Sequence, residues 1–231
     1  MKAFVAIAAI LSVMGLKAQE VAGNFKTDVV KSVDIGYLLH KPADTKNKKA
    51  LIVFLHGSGE KGTDTELLKV NGPLRYVKDH PIDAYILAPQ CRENEFWNEE
   101  SVYKLIQKTV KENNIDANRI YLTGLSLGGW GTLKLGMAHP EMFAALIPVC
   151  GFFDRQDQER ICNIKDIPTR IYHGLLDDVV NPEYAAEIYK QLLSCNAKAQ
   201  LTIFEEANHN SWDKVYDNPE TYEWLLAQSK K

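Results

Sequence analysis

The sequence lacks a basic excess. Its 27 lysines and arginines face 30 aspartates and glutamates, a formal net charge of -3. A general nucleic-acid binder carries a positive surplus or a basic face, so no nucleic-acid partner is expected. Internal repeats, linkers and low-complexity tracts are also missing. With a hydrophobic share of 45%, that excludes disordered and collagen-like classes. There is no GxxxxGK[ST] phosphate loop, no CxxC and no histidine pair at zinc spacing. No cofactor and no metal is therefore expected.

Long apolar runs are absent except at the beginning. Lys2 is followed by Ala3 to Leu16, interrupted only by Ser12 and Gly15, and then by Lys17, Ala18 and Gln19. A membrane span needs ~20 apolar residues. A positive start, a shorter greasy segment and a small residue before the cut read instead as a secretory signal. The expectation is a signal peptide over residues 1–18, cleaved after Ala18, and a single catalytic domain over 19–231. The protein would then be secreted or periplasmic, with no stable membrane anchor. An uncleaved N-terminal anchor is the competing reading.

Cysteine is sparse. Cys91, Cys150, Cys162 and Cys195 permit three pairings in an oxidising compartment. Cys150 and Cys162 are nearest in sequence and would pin the loop between them. Four buried thiols are the alternative.

Strands alternate with helices along the remainder. Short apolar runs at Ile35–Leu39, Leu51–Leu55, Ala84–Ala88, Ile120–Thr123, Ala144–Val149, Arg170–Tyr172 and Gln200–Phe204 predict strands. Helical spacing predicts helices over Glu99–Asn113, Leu127–Ala138, Glu183–Leu193 and Pro219–Gln228. The segment Asn24–Leu39 has no helix within it and should form antiparallel hairpins. The later runs, apolar throughout, suit buried parallel strands. The expected class is α/β, with a mostly parallel central sheet and helices on both faces.

The chemistry gathers at the ends of these strands. Gly124-Leu125-Ser126-Leu127-Gly128 is a GxSxG pentapeptide. A strand feeds it and a helix rich in small residues leaves it, the context that exposes a nucleophilic serine on a sharp turn. A serine hydroxyl needs a base. His209 lies on a polar loop after the last strand, where it can reach the same sheet edge. A carboxylate should orient that imidazole, and Asp177 or Asp178 supplies it, with Asp154 more distant. The developing oxyanion needs donors. The Leu127 N–H is one, and the loop His56-Gly57-Ser58-Gly59 offers Ser58 N–H, or Gly59 as the alternative. His56 reads as a structural residue of that loop.

These motifs resemble the α/β-hydrolase superfamily over nearly the whole sequence after the signal. The stretches that carry the resemblance are FLHGSGEKG (54–62), APQC with the later Trp97, GLSLGGWGT (124–132), PVCG (148–151), HGLLDDVV (173–180) and NHNSW (208–212). The nearest groups are small secreted esterases similar to dienelactone hydrolases, phospholipase/carboxylesterases, polyhydroxybutyrate depolymerases and feruloyl esterases. The resemblance implies a triad of Ser126, Asp177 and His209 and esterase chemistry. Dienelactone hydrolases proper use a cysteine nucleophile, which this chain lacks at that position.

Substrate contacts are less constrained. Trp97, Trp130, Phe152, Phe153 and Trp212 fall near strand ends or catalytic turns. Trp97, Gly59 and Phe152 are the candidate substrate-binding residues, and Trp130, inside a helix, is expected to be structural. About 20 residues separate the strands ending at Val149 and starting at Arg170, too few for a large lid. An open cleft for a small-molecule or polysaccharide-linked ester is expected, with acetyl or feruloyl groups as the acyl part. Two rivals are a serine peptidase of the same fold and a non-catalytic carbohydrate-binding protein on a hydrolase scaffold.

Overall fold

Seven strands form one sheet in the order β1-β3-β2-β4-β5-β6-β7: β1 (Tyr37–His40), β2 (Lys49–Leu55), β3 (Ala84–Pro89), β4 (Ile115–Leu125), β5 (Ala145–Val149), β6 (Thr169–Gly174) and β7 (Ala199–Phe204). This computed structural model describes residues 32–230. The expected signal segment, its cut after Ala18 and the part of the hairpin expectation that falls on residues 24–31 lie outside the described residues. Val33–Lys231 forms one compact unit.

All neighbouring pairs are parallel except β1 with β3. β1 does not form a hairpin with its sequence neighbour β2. It runs antiparallel along β3, with Tyr37 opposite Pro89 and His40 opposite Ile86. Burial explains the arrangement. β2 is flanked by β3 and β4, so its residues from Ala50 to Leu55 are almost wholly removed from solvent.

The pleat sorts β2 between two cores. Leu51, Val53 and Leu55 face one apolar cluster; Ala50, Ile52 and Phe54 face the other. The first cluster is completed by α2 (Glu99–Glu112), α3 (Leu127–Ala138) and α4 (Glu183–Ser194). The second is completed by α1 (Pro73–Tyr76), α5 (Trp212–Tyr216) and α6 (Pro219–Leu226). Helices thus cover both faces. Two of them, α1 and α5, are single turns too short for periodicity to reveal.

α2 begins where Asn98 accepts the N–H of Ser101, and it buries Val102 and Ile106. α3 has small residues on the side that meets the sheet. A Cβ at Gly128 would lie 1.8 Å from Leu55 O, and one at Gly124 would lie 2.3 Å from Gly128 O. Only glycine lets this helix and the two strand ends approach so closely. The connection from β5 to β6 holds only two short 3-10 turns, Arg155–Asp157 and Ile161–Ile164. No large lid stands there.

One disulfide joins Cys162 to Cys195, across 33 positions, with Cα atoms 5.6 Å apart. It ties the β5–β6 connection to the end of α4. The near-neighbour pair Cys150 and Cys162 is not bridged. Cys91 and Cys150 are buried free thiols. Cys150 sits just past β5 at φ 48°, and its side chain faces Ser211 instead. Among the described residues no helix is long and apolar enough to cross a membrane.

Candidate active site

The chain leaves β2 outward to β3 and returns to β4 on the other side of β2. Such a reversal opens a crevice at the carboxyl ends of the strands. The loop after β2 and the turn after β4 both end there. Ser126 occupies that turn at φ 53° and ψ -116°, a left-handed backbone that a serine tolerates only under constraint. The constraint is visible: Ser126 N donates to Val149 O at 2.9 Å, and α3 starts at once, with Trp130 N donating to Ser126 O.

His209 follows β7 on a short 3-10 turn. Its Nε2 is 3.0 Å from Ser126 Oγ, and its Nδ1 is 2.8 Å from Asp177 Oδ2. The structure therefore brings together serine, histidine and aspartate in one hydrogen-bonded line. The two neighbouring aspartates differ in position. Asp177 is 8% exposed and points inward; Asp178 is exposed. Asp154 is elsewhere, accepting the indole N–H of Trp130 at 3.3 Å.

Three hydrogen-bond donors and a second imidazole converge on the Asp177 carboxylate. Oδ1 accepts from the N–H groups of Val179 and Val180 at 3.0 and 2.9 Å. Oδ2 faces His209 Nδ1 and also His173 Nε2, the latter at 3.1 Å. Burial works to raise the carboxyl pKa, but the His209 bond and the two amides outweigh it and hold the group below its ordinary value. His173 is wholly buried, and its own pKa is lowered chiefly by that burial. Its Nε2 also meets Val180 O at 2.9 Å, so that nitrogen carries the proton. His173 is a member of the site that the sequence reading passed over as part of a motif.

Cys150 is a second such residue. Its Sγ lies 2.8 Å from Ser211 Oγ and donates toward His209 O at 3.2 Å, behind the imidazole. Cys150, Asp177 and His209 each place one donor atom within 4.8 Å of the others. The set suits a triad better than a metal: Asp177 and His209 hold each other, and burial pushes the Cys150 thiol up to about 12.

The loop after β2 is organised by His56. Its Nδ1 donates to Gly57 O at 2.6 Å and its Nε2 accepts the N–H of Cys91 at 2.9 Å. Burial drops its pKa from 6.5 to about 4, so it stays neutral and structural. A Cβ at Gly57 would stand 3.5 Å from Ser126 Cβ, which places this loop against Ser126. Ser58 and Gly59 are exposed on the 3-10 turn that follows, and no side chain caps that turn. Leu127 heads α3, so its N–H has no acceptor a turn earlier within the helix.

Trp97 does not take the substrate-facing place expected of it, and Trp130 packs on the core from α3 as a structural residue would. Trp97 is 5% exposed, donates its indole N–H to His56 O at 3.3 Å and packs on the His56 ring. A Cβ at Gly131 would lie 2.7 Å from it. It supports the β2 loop from within, and the void of about 20 Å³ beside it is too small for a substrate. Trp130 is half-buried on the outer side of α3, near Phe96 and Phe152. Phe152 is half-buried as well, and Phe153 is buried. Trp212 meets the His209 ring edge-on at 5.2 Å. Leu175, Leu176 and Val179 are 52%, 60% and 68% exposed around Asp177, an apolar rim.

Known proteins share this framework. Residues 82–218 match the phospholipase/carboxylesterase family. That span holds all three residues of the hydrogen-bonded line but not the loop after β2. An acyl-protein thioesterase 1 homolog 2 of Dictyostelium discoideum is 33% identical over 134 residues, 53% of this chain and 60% of that protein. Among solved structures, a thermostable esterase superposes with a TM-score of 0.75 at 37% identity, over 87% of this chain and 60% of the other. The chain thus spans about 60% of the length of each of these two relatives. An acetyl xylan esterase from Aspergillus awamori shares the fold, with a TM-score of 0.64 at 14% identity over 83% of this chain and 94% of the other. By the family match over more than half its length, the chain belongs to the phospholipase/carboxylesterase family of α/β-hydrolases.

Proposed function

We propose that this protein is a secreted serine hydrolase that cleaves carboxylic esters through an acyl-enzyme. The observation that carries the reading is the line from Ser126 Oγ to His209 Nε2 at 3.0 Å and from His209 Nδ1 to Asp177 Oδ2 at 2.8 Å. Ser126 attacks the ester carbonyl while His209 takes its proton. Asp177 fixes the imidazole tautomer and stabilises its charged form. The N–H groups of Leu127 and Ser58 hold the oxyanion. His209 then gives its proton to the leaving alcohol. Water, activated by the same imidazole, releases the acid and restores the serine.

The acyl group is proposed to be small or planar, acetyl or feruloyl, on a polysaccharide. The open connection between β5 and β6 and the compartment expected from residues 1–18 support this reading. The thioesterase name of the Dictyostelium relative adds thioesters to the substrates worth assaying.

Acetyl, butyryl, octanoyl and feruloyl oxyesters, together with an acetyl thioester and a peptide anilide, form the deciding panel. Wild type should cleave at least one oxyester faster than the anilide, and Ser126→Ala should lose about 10³-fold or more of that rate. A Ser126→Ala protein with full activity, or wild-type protein left unlabelled at Ser126 by a fluorophosphonate, would falsify the mechanism.

A further inference from the structure

Four aromatic rings from four separate elements stand in a row beside the nucleophile. Phe96 comes from the loop before α2, Trp130 from α3 one turn after Ser126, Phe152 from the loop after β5, and Tyr184 from the first turn of α4. Successive centroids are 5.9, 6.1 and 6.3 Å apart. The Trp130 and Phe152 planes differ by only 20°. The ends of the row are open: Phe96 is 65% and Tyr184 44% exposed. The two end rings do little for the core, since water reaches them, while Trp130 and Phe152 pack on it with their inner edges. Their alignment is not local sequence geometry either, since each is delivered by a different element.

The row leads on to a pocket whose lining mixes aromatic and polar side chains. Beyond Tyr184 it opens into a cleft of about 770 Å³ lined by Phe153, Gln158, Asn181, Glu187 and Lys190. Amide, carboxylate and ammonium groups there sit around two aromatic rings. Asn181 and Glu183 bond each other and Glu187 accepts from Gln191, so the polar part of the lining is held in place beside the rings. A polyhydroxylated ring suits them: its hydroxyls meet the polar side chains, and its C–H face rests on the aromatic ones. The row is also longer than any single aromatic acyl group.

Resting on the hydrolase reading above, we infer that Phe96, Trp130, Phe152 and Tyr184 form a track for the alcohol side of the substrate, a chain of linked pyranose rings, with the cleft beside Tyr184 as its far subsite. The track would hold the glycan while its ester substituent reaches Ser126. Two of the tracking rings are exposed, so their removal takes nothing from the core.

The test measures binding apart from turnover. Ser126→Ala protein is run by affinity electrophoresis through gels containing soluble xylan, hydroxyethylcellulose or no polysaccharide. Retardation in at least one glycan gel is expected. Adding Phe96→Ala and Tyr184→Ala should weaken the apparent affinity about tenfold or more, with an unchanged thermal midpoint. Tyr184→Trp, which keeps a ring, should retain the retardation. Free migration of Ser126→Ala in every gel overturns the track, as does undiminished retardation of the double variant. A loss on methyl ferulate hydrolysis by that double variant as large as the loss of glycan binding also overturns it, since the row would then be an acyl-ring subsite. Nitrophenyl acetate hydrolysis by wild type separates the two ideas. Retardation without hydrolysis upholds the track and removes the esterase, and hydrolysis without retardation does the reverse.

Discussion

His173 Nε2 lies 3.1 Å from Asp177 Oδ2, the same carboxylate oxygen that takes Nδ1 of His209 at 2.8 Å. Two imidazoles thus flank one carboxylate oxygen, but only one of them reaches the serine. His173 is wholly buried, its Nδ1 has no partner, and burial keeps its pKa lowered. It stays neutral, and its Nε2–H bonds Val180 O at 2.9 Å. The positive edge of that N–H lies beside the oxygen that faces His209 and favours its negative charge. Cys150 is close to the same carboxylate but stays protonated, so it brings no rival charge.

Removing that donor should be felt in rate and in pH. A polar N–H lying beside a charged group is worth less than the roughly 1.5–3 kcal/mol of a full hydrogen bond to it, so His173→Ala should lower kcat by about 10-fold, with KM little changed. The carboxylate, left more basic, would stabilise the protonated His209, and the acid limb of kcat/KM should move to higher pH. His173→Gln, which restores an N–H, should recover part of both effects. A lowered kcat with an unmoved acid limb would mean that His173 only fills space.

The two neighbouring aspartates should behave very differently. Asp177 is buried and saturated with donors, whereas Asp178 is exposed. Asp177→Asn should cost about 10³- to 10⁴-fold in kcat, because an amide stabilises the wrong imidazole tautomer and carries no charge. Asp178→Asn should stay within about twofold, as surface substitutions usually do. Steady-state rates of both variants on one nitrophenyl ester decide it; comparable losses would reopen the assignment.

What could be read from the sequence follows a physical divide. The central strands β2, β3 and β5, the end of β4 and the helix after Ser126 are legible because burial on both faces leaves an apolar run, whereas β7 at the sheet edge shows only alternation. Ser126 and His209 were legible because a GxSxG turn works only between a strand and a helix. Direction was not legible. Periodicity places Trp130 within α3 but does not say that the sheet side of that helix is filled by Gly124, Gly128 and Leu55 backbone, which leaves the indole the outer side. Trp97 lies in a loop, and no pattern there tells inward from outward. The contact of His173 with Asp177 needs a four-residue turn between them, and the Cys162–Cys195 bridge needs the packing of α4 against the β5–β6 connection. Both are tertiary facts.

That bridge should show in stability and in thiol counts. Closing a loop of 33 positions removes chain entropy from the unfolded state worth on the order of 3–4 kcal/mol. Cys162→Ala with Cys195→Ala, or reduction under native conditions, should lower the denaturation midpoint accordingly. Thiol titration of the oxidised protein in denaturant should find the Cys91 and Cys150 thiols alone. Neither should react while the protein is folded, since both are buried. Four titratable thiols in protein purified from an oxidising compartment would rule the bridge out.

Acid should weaken the fold through the histidine that organises the β2 loop. In the unfolded chain His56 takes a proton near its ordinary 6.5; in the folded chain burial delays this to about 4. Between those values the unfolded state binds the extra proton, so stability rises with pH and falls as pH drops through the window. The full difference is on the order of 3 kcal/mol. His173, also lowered by burial, acts in the same direction. Asp177 adds to the loss further down, because its carboxyl is held below the ordinary value and its contribution disappears as pH falls through that lower value. Urea unfolding at pH 7 and at pH 4.5 measures the sum. A His56→Asn variant should have a flatter dependence over this window: it is less stable at pH 7, where Nε2 no longer takes the Cys91 N–H, but it has no proton to exclude. Equal stability of wild type at the two pH values would show that His56 is not held neutral by burial.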